Sequence, residues 1–301
     1  VFINYMVFTL NSMMMLSMTL TMFSRSKASF VRIAEILDTT PEIRNPAVAL
    51  RPMEIKGKLS FRDVSFKYSQ ASSEYDLEHL SFDVKAGEHI GIIGSTGSGK
   101  TTMIRCLTRL LDIDAGEIRL DDVSIHAMDL SYLRAQVALV PQKNVLFSGN
   151  VAENLRWGNP AASEETLWHA LLAAGIEPFI RHSDKQLETL VQQGGANFSG
   201  GQKQRLCIAR ALVKDAPILV FDDSMSALDG ATEALVKQQL KETYADKTIL
   251  MIAQKISTIK DYDRILVLDD GKIVGYDTHA GLLKSNDVYQ EIVASQAQRG
   301  V

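Results

Sequence analysis

Ile90-Gly91-Ile92-Ile93-Gly94-Ser95-Thr96-Gly97-Ser98-Gly99-Lys100-Thr101-Thr102 is the stretch on which the fold turns. An apolar strand runs into a loop with glycine at 94, 97 and 99, and Lys100-Thr101-Thr102 opens a helix. Glycines let successive backbone N–H groups curl about an anion with no Cβ in the way. Spacing and context are those of a phosphate-binding P-loop. In that reading Gly94, Ser95, Thr96, Gly97, Ser98 and Gly99 cradle the phosphates. Lys100 reaches the β- and γ-phosphates of a nucleotide, and the Thr101 hydroxyl, with Thr102 behind it, ligates Mg²⁺. A glycine-rich turn with a chance lysine is the plain alternative, and it explains neither the strand before the loop nor the helix after it.

Further along, the buried-looking strand Ile218-Leu219-Val220-Phe221 ends in Asp222, a carboxylate that can hold Mg²⁺ at the C-terminal edge of a sheet. Thr248–Ile252 and Ile265–Leu268 are short unbroken apolar runs of the same kind, expected to be buried on both faces. Leu59–Phe66 and Leu80–Val84 instead alternate apolar and polar residues, the pattern of strands with one wet face. Helical stretches alternate with the strands, which gives an α/β sheet.

Composition narrows the class. The chain has 301 residues, 46% hydrophobic and 23% charged, with a net charge of −4. That is globular, and it lacks the basic excess of a nucleic-acid-binding surface. Cys106 and Cys207 stand in unrelated segments without metal-ligand spacing, so both are expected on helices as small buried hydrophobes. The six histidines do not cluster.

Val1 to Phe23 carries no charged residue, and Arg25, Lys27 and Arg32 come directly after. A bilayer-crossing helix needs roughly 20 apolar residues. By the positive-inside rule, the charge boundary places the downstream residues in the cytosol. A buried helix of a soluble core is the alternative. With no initiating Met, the chain is expected to be a fragment of a longer membrane protein. Met14, Met18 and Met22 share one helix face, for packing against neighbouring helices or for contact with hydrophobic ligands. Ser24–Leu37 continues as a helix, and Pro41, Pro46 and Pro52 mark an extended linker. The organisation expected is therefore 1–37, a last transmembrane helix with its cytosolic extension; 38–56, a linker; and 57–301, a nucleotide-binding domain.

Phe198-Ser199-Gly200-Gly201-Gln202-Lys203-Gln204-Arg205 is the most specific feature of the chain. It resembles the signature motif of ATP-binding cassette proteins. The start of its helix would present N–H groups to the γ-phosphate of a nucleotide held mainly by another subunit. The resemblance covers nearly the whole chain. It implies a P-loop nucleotide-binding domain with an antiparallel β subdomain and a helical signature subdomain, preceded by one transmembrane helix. It also implies that Tyr68 stacks on adenine and that Gln142 touches the metal and the attacking water. Ser226-Ala227-Leu228-Asp229 would form the loop crossing between paired domains. Ser148–Leu155 and Ala28–Ile33 are similar to the exporter branch.

Three positions depart from that family's pattern. Asp223 stands where the family has a general-base Glu, setting the carboxylate back by about an ångström, a misplacement that can cost roughly 10²-fold. Gln254 stands where it has a phosphate-sensing His, and Gln193 where exporters often carry Glu. Together they resemble the subunit of heterodimeric exporters whose own ATP site is degenerate. The resemblance implies ATP and Mg²⁺ as ligands, a second half-transporter as partner, a membrane setting with a cytoplasmic nucleotide-binding domain, and a hydrophobic or drug-like substrate. A homodimeric exporter with two active sites, a soluble cassette ATPase of DNA repair or translation, and a purely regulatory ATP-binding subunit are the competing readings.

Overall fold

The computed structural model describes residues 1–69 and 71–298 and divides into two compact units, Val1–Arg44 and Asn45–Val301.

The first unit is one helix, α1 (Phe2–Asp38), none of whose side chains is buried. It is long and apolar enough to cross a membrane, with a mean hydropathy of 1.4 over its apolar window. Four of the hydroxyls in its apolar stretch are satisfied within the helix. The hydroxyls of Thr9, Ser12, Thr19 and Thr21 each donate to the carbonyl four residues back, at 2.8–3.0 Å. Such back-bonding removes the need for water around a hydroxyl.

The second unit begins with a segment laid along the unit's own surface. Leu50 and Met128 form a bridge, the Asn45 side chain accepts from Leu130 N at 2.7 Å, and the Tyr132 hydroxyl donates to Pro52 O at 2.5 Å. Proline at 46 and 52 leaves the intervening backbone extended enough to pair. The strands β1 (Leu59–Phe66) and β2 (Leu77–Val84) then form an antiparallel pair. β3 (His89–Ile93) leads through the P-loop into α2 (Lys100–Leu107). After it come β4 (Ala115–Leu120), β5 (Val123–Ser124), α3 (Leu130–Ala135) and β6 (Val137–Val140). A small ribbon of β7 (Gly149–Asn150) and β8 (Leu190–Val191) brackets α4 (Val151–Arg156), α5 (Glu164–Ala173) and α6 (Glu177–Arg181). α7 (Gly200–Val213), β9 (Ile218–Asp222), α8 (Gly230–Thr243), β10 (Thr248–Ile252) and α9 (Ile256–Ile259) come next. The hairpin β11 (Arg264–Asp269) and β12 (Lys272–Asp277), α10 (His279–Ser285) and α11 (Asp287–Gln298) complete the unit.

Two larger sheets result. The outer one is antiparallel in the order β2-β1-β4-β5; the central one runs β12-β11-β3-β10-β9-β6, with all neighbours parallel except β11 and β12. The central strands are buried on both faces, and alternate side chains serve different cores. Ile249 and Met251 of β10 pack with the helices, while Leu250 and Ile252 pack with α2 and the outer sheet. Cys106 and Cys207 lie buried on α2 and α7, as their apolar settings foretold, and burial pushes the Cys106 thiol up to about 12.

β1 corrects one expectation. It has no continuous wet face, because Ser60 and Ser65 are buried. Each is satisfied there: the Ser60 hydroxyl donates to Asp83 at 2.5 Å and the Ser65 hydroxyl accepts from His79 N at 3.1 Å.

Candidate nucleotide site

The parallel sheet gathers the chemistry at one edge. The P-loop leaves the end of β3, Gln142 stands two residues beyond β6, Asp222 ends β9, and Gln254 stands two residues beyond β10. In register, Ile252 pairs with both Asp222 and Ile92, so these ends lie side by side. Ligands of open α/β sheets bind at such carboxyl ends. Here they enclose a cleft of about 760 Å³, lined by the P-loop, Gln142, Asp222, Asp223 and Gln254.

The loop's glycines are required by the backbone. Gly97 and Gly99 have φ of +87° and +95°, and a Cβ at Gly94 would run into the Leu268 carbonyl. Lys100 folds over the loop, its ammonium donating to Gly94 O at 2.9 Å, Ser95 O at 2.6 Å and the Ser98 hydroxyl at 3.2 Å. Burial lowers its pKa, against the pull of Asp222 and Asp223. A bound phosphate would replace those carbonyl partners with a stronger, charge-assisted one.

Thr101 donates to both oxygens of Asp222, at 3.1 and 3.0 Å. Burial, with neighbouring Asp223, raises the Asp222 carboxyl above its ordinary range despite the Thr101 bond. The Thr101 hydroxyl, the Asp222 carboxylate and the Gln142 amide are hard oxygen donors that suit Mg²⁺. Among the described residues no cluster of three or more His, Cys, Asp or Glu side chains could hold a metal alone.

Asp223 sits in the left-handed region at φ 51°, its N–H donating to Ile252 O at 3.0 Å. Its Oδ2 accepts from Gln254 Nε2 at 2.6 Å and from Gln142 Nε2 at 3.3 Å. Two of the positions that depart from the family pattern are thus joined with Gln142 in one Gln–Asp–Gln clamp. Tyr68 does not line the cleft. Its hydroxyl lies 3.2 Å from Thr102 Oγ1 and accepts from Arg105 at 3.4 Å, and its half-exposed ring meets Phe66 edge-on at 5.0 Å.

The signature residues do not line the cleft either. Ser199 caps α7, its hydroxyl accepting from Gln202 N at 3.3 Å while the Gln202 side chain accepts from Ser199 N at 2.8 Å. This capping box leaves the Gly200 face open, with no atom within 4 Å of a Cβ there. Phe198 is buried against Phe179. Gln193 is exposed in a tight turn, Gln193–Gly195.

Gln204 lies within the signature stretch, yet nothing local in the sequence marks its task. Its buried side chain accepts from Ala227 N at 3.2 Å, tying α7 to the Ser226–Asp229 loop. At the near end of that loop the Ser226 hydroxyl donates to Asp223 O at 2.9 Å. At the far end Asp229 caps α8 through Thr232, whose hydrogen bonds hold its carboxyl below the usual range. Leu228 N closes a turn on Met225 O at 3.0 Å. Also unforeseen, α11 contributes Glu291, Ser295 and Gln296 to the cleft wall. No local pattern in the sequence marks that helix as part of a cleft.

This cleft and the separate capped helix are the two poles of an ATP-binding cassette domain. Residues 77–226 match the family described as ABC transporter, and the chain carries the ATP-binding domain of that family. It is 38% identical, over 98% of its length and 51% of the relative's, to an uncharacterised ABC transporter ATP-binding protein of Mycobacterium tuberculosis (strain CDC 1551 / Oshkosh). It is 37% identical, over 92% of its length and 47% of the relative's, to an ATP-dependent lipid A-core flippase of Vibrio vulnificus (strain CMCP6). Among solved structures it superposes on a bacterial Atm1-family ABC exporter with ATP bound. The TM-score is 0.86 at 34% identity, over 91% of this chain and 48% of that one. The chain spans about half the length of the curated relatives it matches.

Proposed function

We propose that this chain is the ATP-binding part of a membrane exporter, anchored through α1 with its nucleotide-binding domain in the cytoplasm. Two such domains pair head to tail, so that each ATP lies between one P-loop and the other subunit's signature. The cargo class is hydrophobic, drug-like or lipid-like; the flippase among the relatives argues for including lipids.

The finer proposal concerns division of labour. The Gln–Asp–Gln clamp carries it: Oδ2 of Asp223 already accepts from two amide donors, which fix the carboxylate's orientation. A water must then be oriented through Oδ1, or share Oδ2 with those donors. The shorter Asp side chain adds to this handicap. The chain's own site therefore holds ATP and hydrolyses it slowly, while its intact Ser199–Gln202 completes the site of a different, faster subunit. Mg²⁺, held by Thr101 and Asp222 with Gln142 alongside, would neutralise phosphate charge there.

Steady-state ATP hydrolysis by the full-length polypeptide purified alone, with Lys100→Ala as background, tests this. Tight ATP binding with turnover at background is the expected result. Turnover on the order of 1 s⁻¹ or more would establish a self-sufficient homodimer instead.

A further inference from the structure

The clamp on Asp223 does not end at Gln254. Gln296, near the far end of α11, uses its side-chain amide twice on the backbone around that residue: Nε2 donates to Gln254 O at 2.7 Å and Oε1 accepts from Ile256 N at 2.9 Å. A single primary amide thus closes a ring over residues 254–256, as a neighbouring strand would. Lys255, at the N-cap of α9 inside this ring, makes no side-chain cap bond of its own.

The far end of the connection is firm. Tyr289 is fully buried, its hydroxyl 2.7 Å from His279 Nδ1, and its N–H donates to the Asn286 side chain at 2.7 Å. Val288 and Ile292 pack on the helical core while also facing the cleft. α11 is therefore a fixed beam from which one side chain reaches the loop that aims Gln254.

We propose that Gln296 is a positioning residue for Gln254, so that α11 sets how the Gln254 amide addresses the terminal phosphate. This rests on the reading of the cleft as an ATP site with Gln254 at the γ-phosphate. Since ADP lacks that phosphate, the effect is confined to ATP.

The test compares ATP and ADP affinities, by calorimetry on the full-length protein, for wild type, Gln296→Ala, Gln296→Glu, Gln254→Ala and the double variant Gln254→Ala/Gln296→Ala. Gln290→Ala is the control on the same helix, where the side chain donates to Leu283 O at 3.0 Å. Gln296→Ala is expected to weaken ATP about three- to tenfold, the weight of one or two neutral hydrogen bonds, and to leave ADP unchanged. Gln296→Glu keeps an acceptor for Ile256 N and loses the donor to Gln254 O, so it shows the same ATP-selective loss even if the alanine variant folds poorly. Once Gln254 is alanine, Gln296→Ala costs nothing more. Equal losses for both nucleotides, a full additional loss in the Gln254→Ala background, or wild-type ATP:ADP ratios in both Gln296 variants would overturn the proposal. Wild-type protein that binds neither nucleotide overturns the underlying ATP-site reading as well, which separates the two failures.

Discussion

The P-loop pole and the signature pole of this domain are built on opposite plans. At the first, polar groups are satisfied within the chain: Lys100 on the loop carbonyls, Thr101 on Asp222, two glutamines on Asp223. At the second, the capping box satisfies the Ser199 and Gln202 amides and leaves the Gly200 face bare. A self-tied cleft can hold a ligand alone. An open helix N-terminus is half of a site, and its use depends on what another chain brings to it.

Lys100→Ala should open the widest gap between the poles. Losing charge-assisted bonds to two phosphates costs about a hundredfold or more in ATP affinity, measured by calorimetry, while leaving the signature surface intact. Next comes the reciprocal change. Gly200→Asp puts a carboxylate where a phosphate would sit, and Ser199→Ala removes the cap. Transport in reconstituted vesicles should fall by about tenfold to a hundredfold for Gly200→Asp and less for Ser199→Ala. Asp223→Asn should cost under about threefold in the same assay, because that site contributes little turnover on the proposed division of labour. The reverse ranking would break the comparison. Asp223→Glu sharpens it: the longer side chain brings the carboxylate forward, and own-site hydrolysis should rise about tenfold.

What could be read from the sequence was whatever a backbone demands locally. Glycine at 97 and 99 answers to positive φ, so the loop was legible residue by residue. The unbroken run Thr248–Ile252 is a strand buried on both faces, with the bounds its composition gave. Ser60 and Ser65 misled, since alternation records polarity and cannot tell a wet serine from a buried, bonded one. Gln296 was illegible for a different reason. Its meaning lies in partners 42 and 40 residues away, chosen by how α11 packs, and a glutamine in a polar helix end announces nothing. Gln204 stood inside a motif and still gave no sign that it holds Ala227, for the same tertiary reason.

The smallest difference between the poles is titration. Ser199–Gln202 contains no ionisable side chain, whereas the P-loop pole holds Asp222 with its carboxyl raised by burial and by Asp223. The sign is set by which form the ligand prefers. Mg²⁺ requires the carboxylate, so binding of Mg·ATP pulls the raised pKa down and expels protons from any protonated fraction. Affinity for Mg·ATP should therefore weaken as pH falls through a range above that of an ordinary aspartate. Calorimetry in two buffers of different ionisation heat would register proton release beyond that of the nucleotide itself. In Asp222→Asn the excess should vanish, along with most Mg²⁺-dependent affinity, while Gly200→Asp should retain it in full. An excess that disappears equally in both variants would mean the two poles titrate as one site, and the contrast drawn between them would fail.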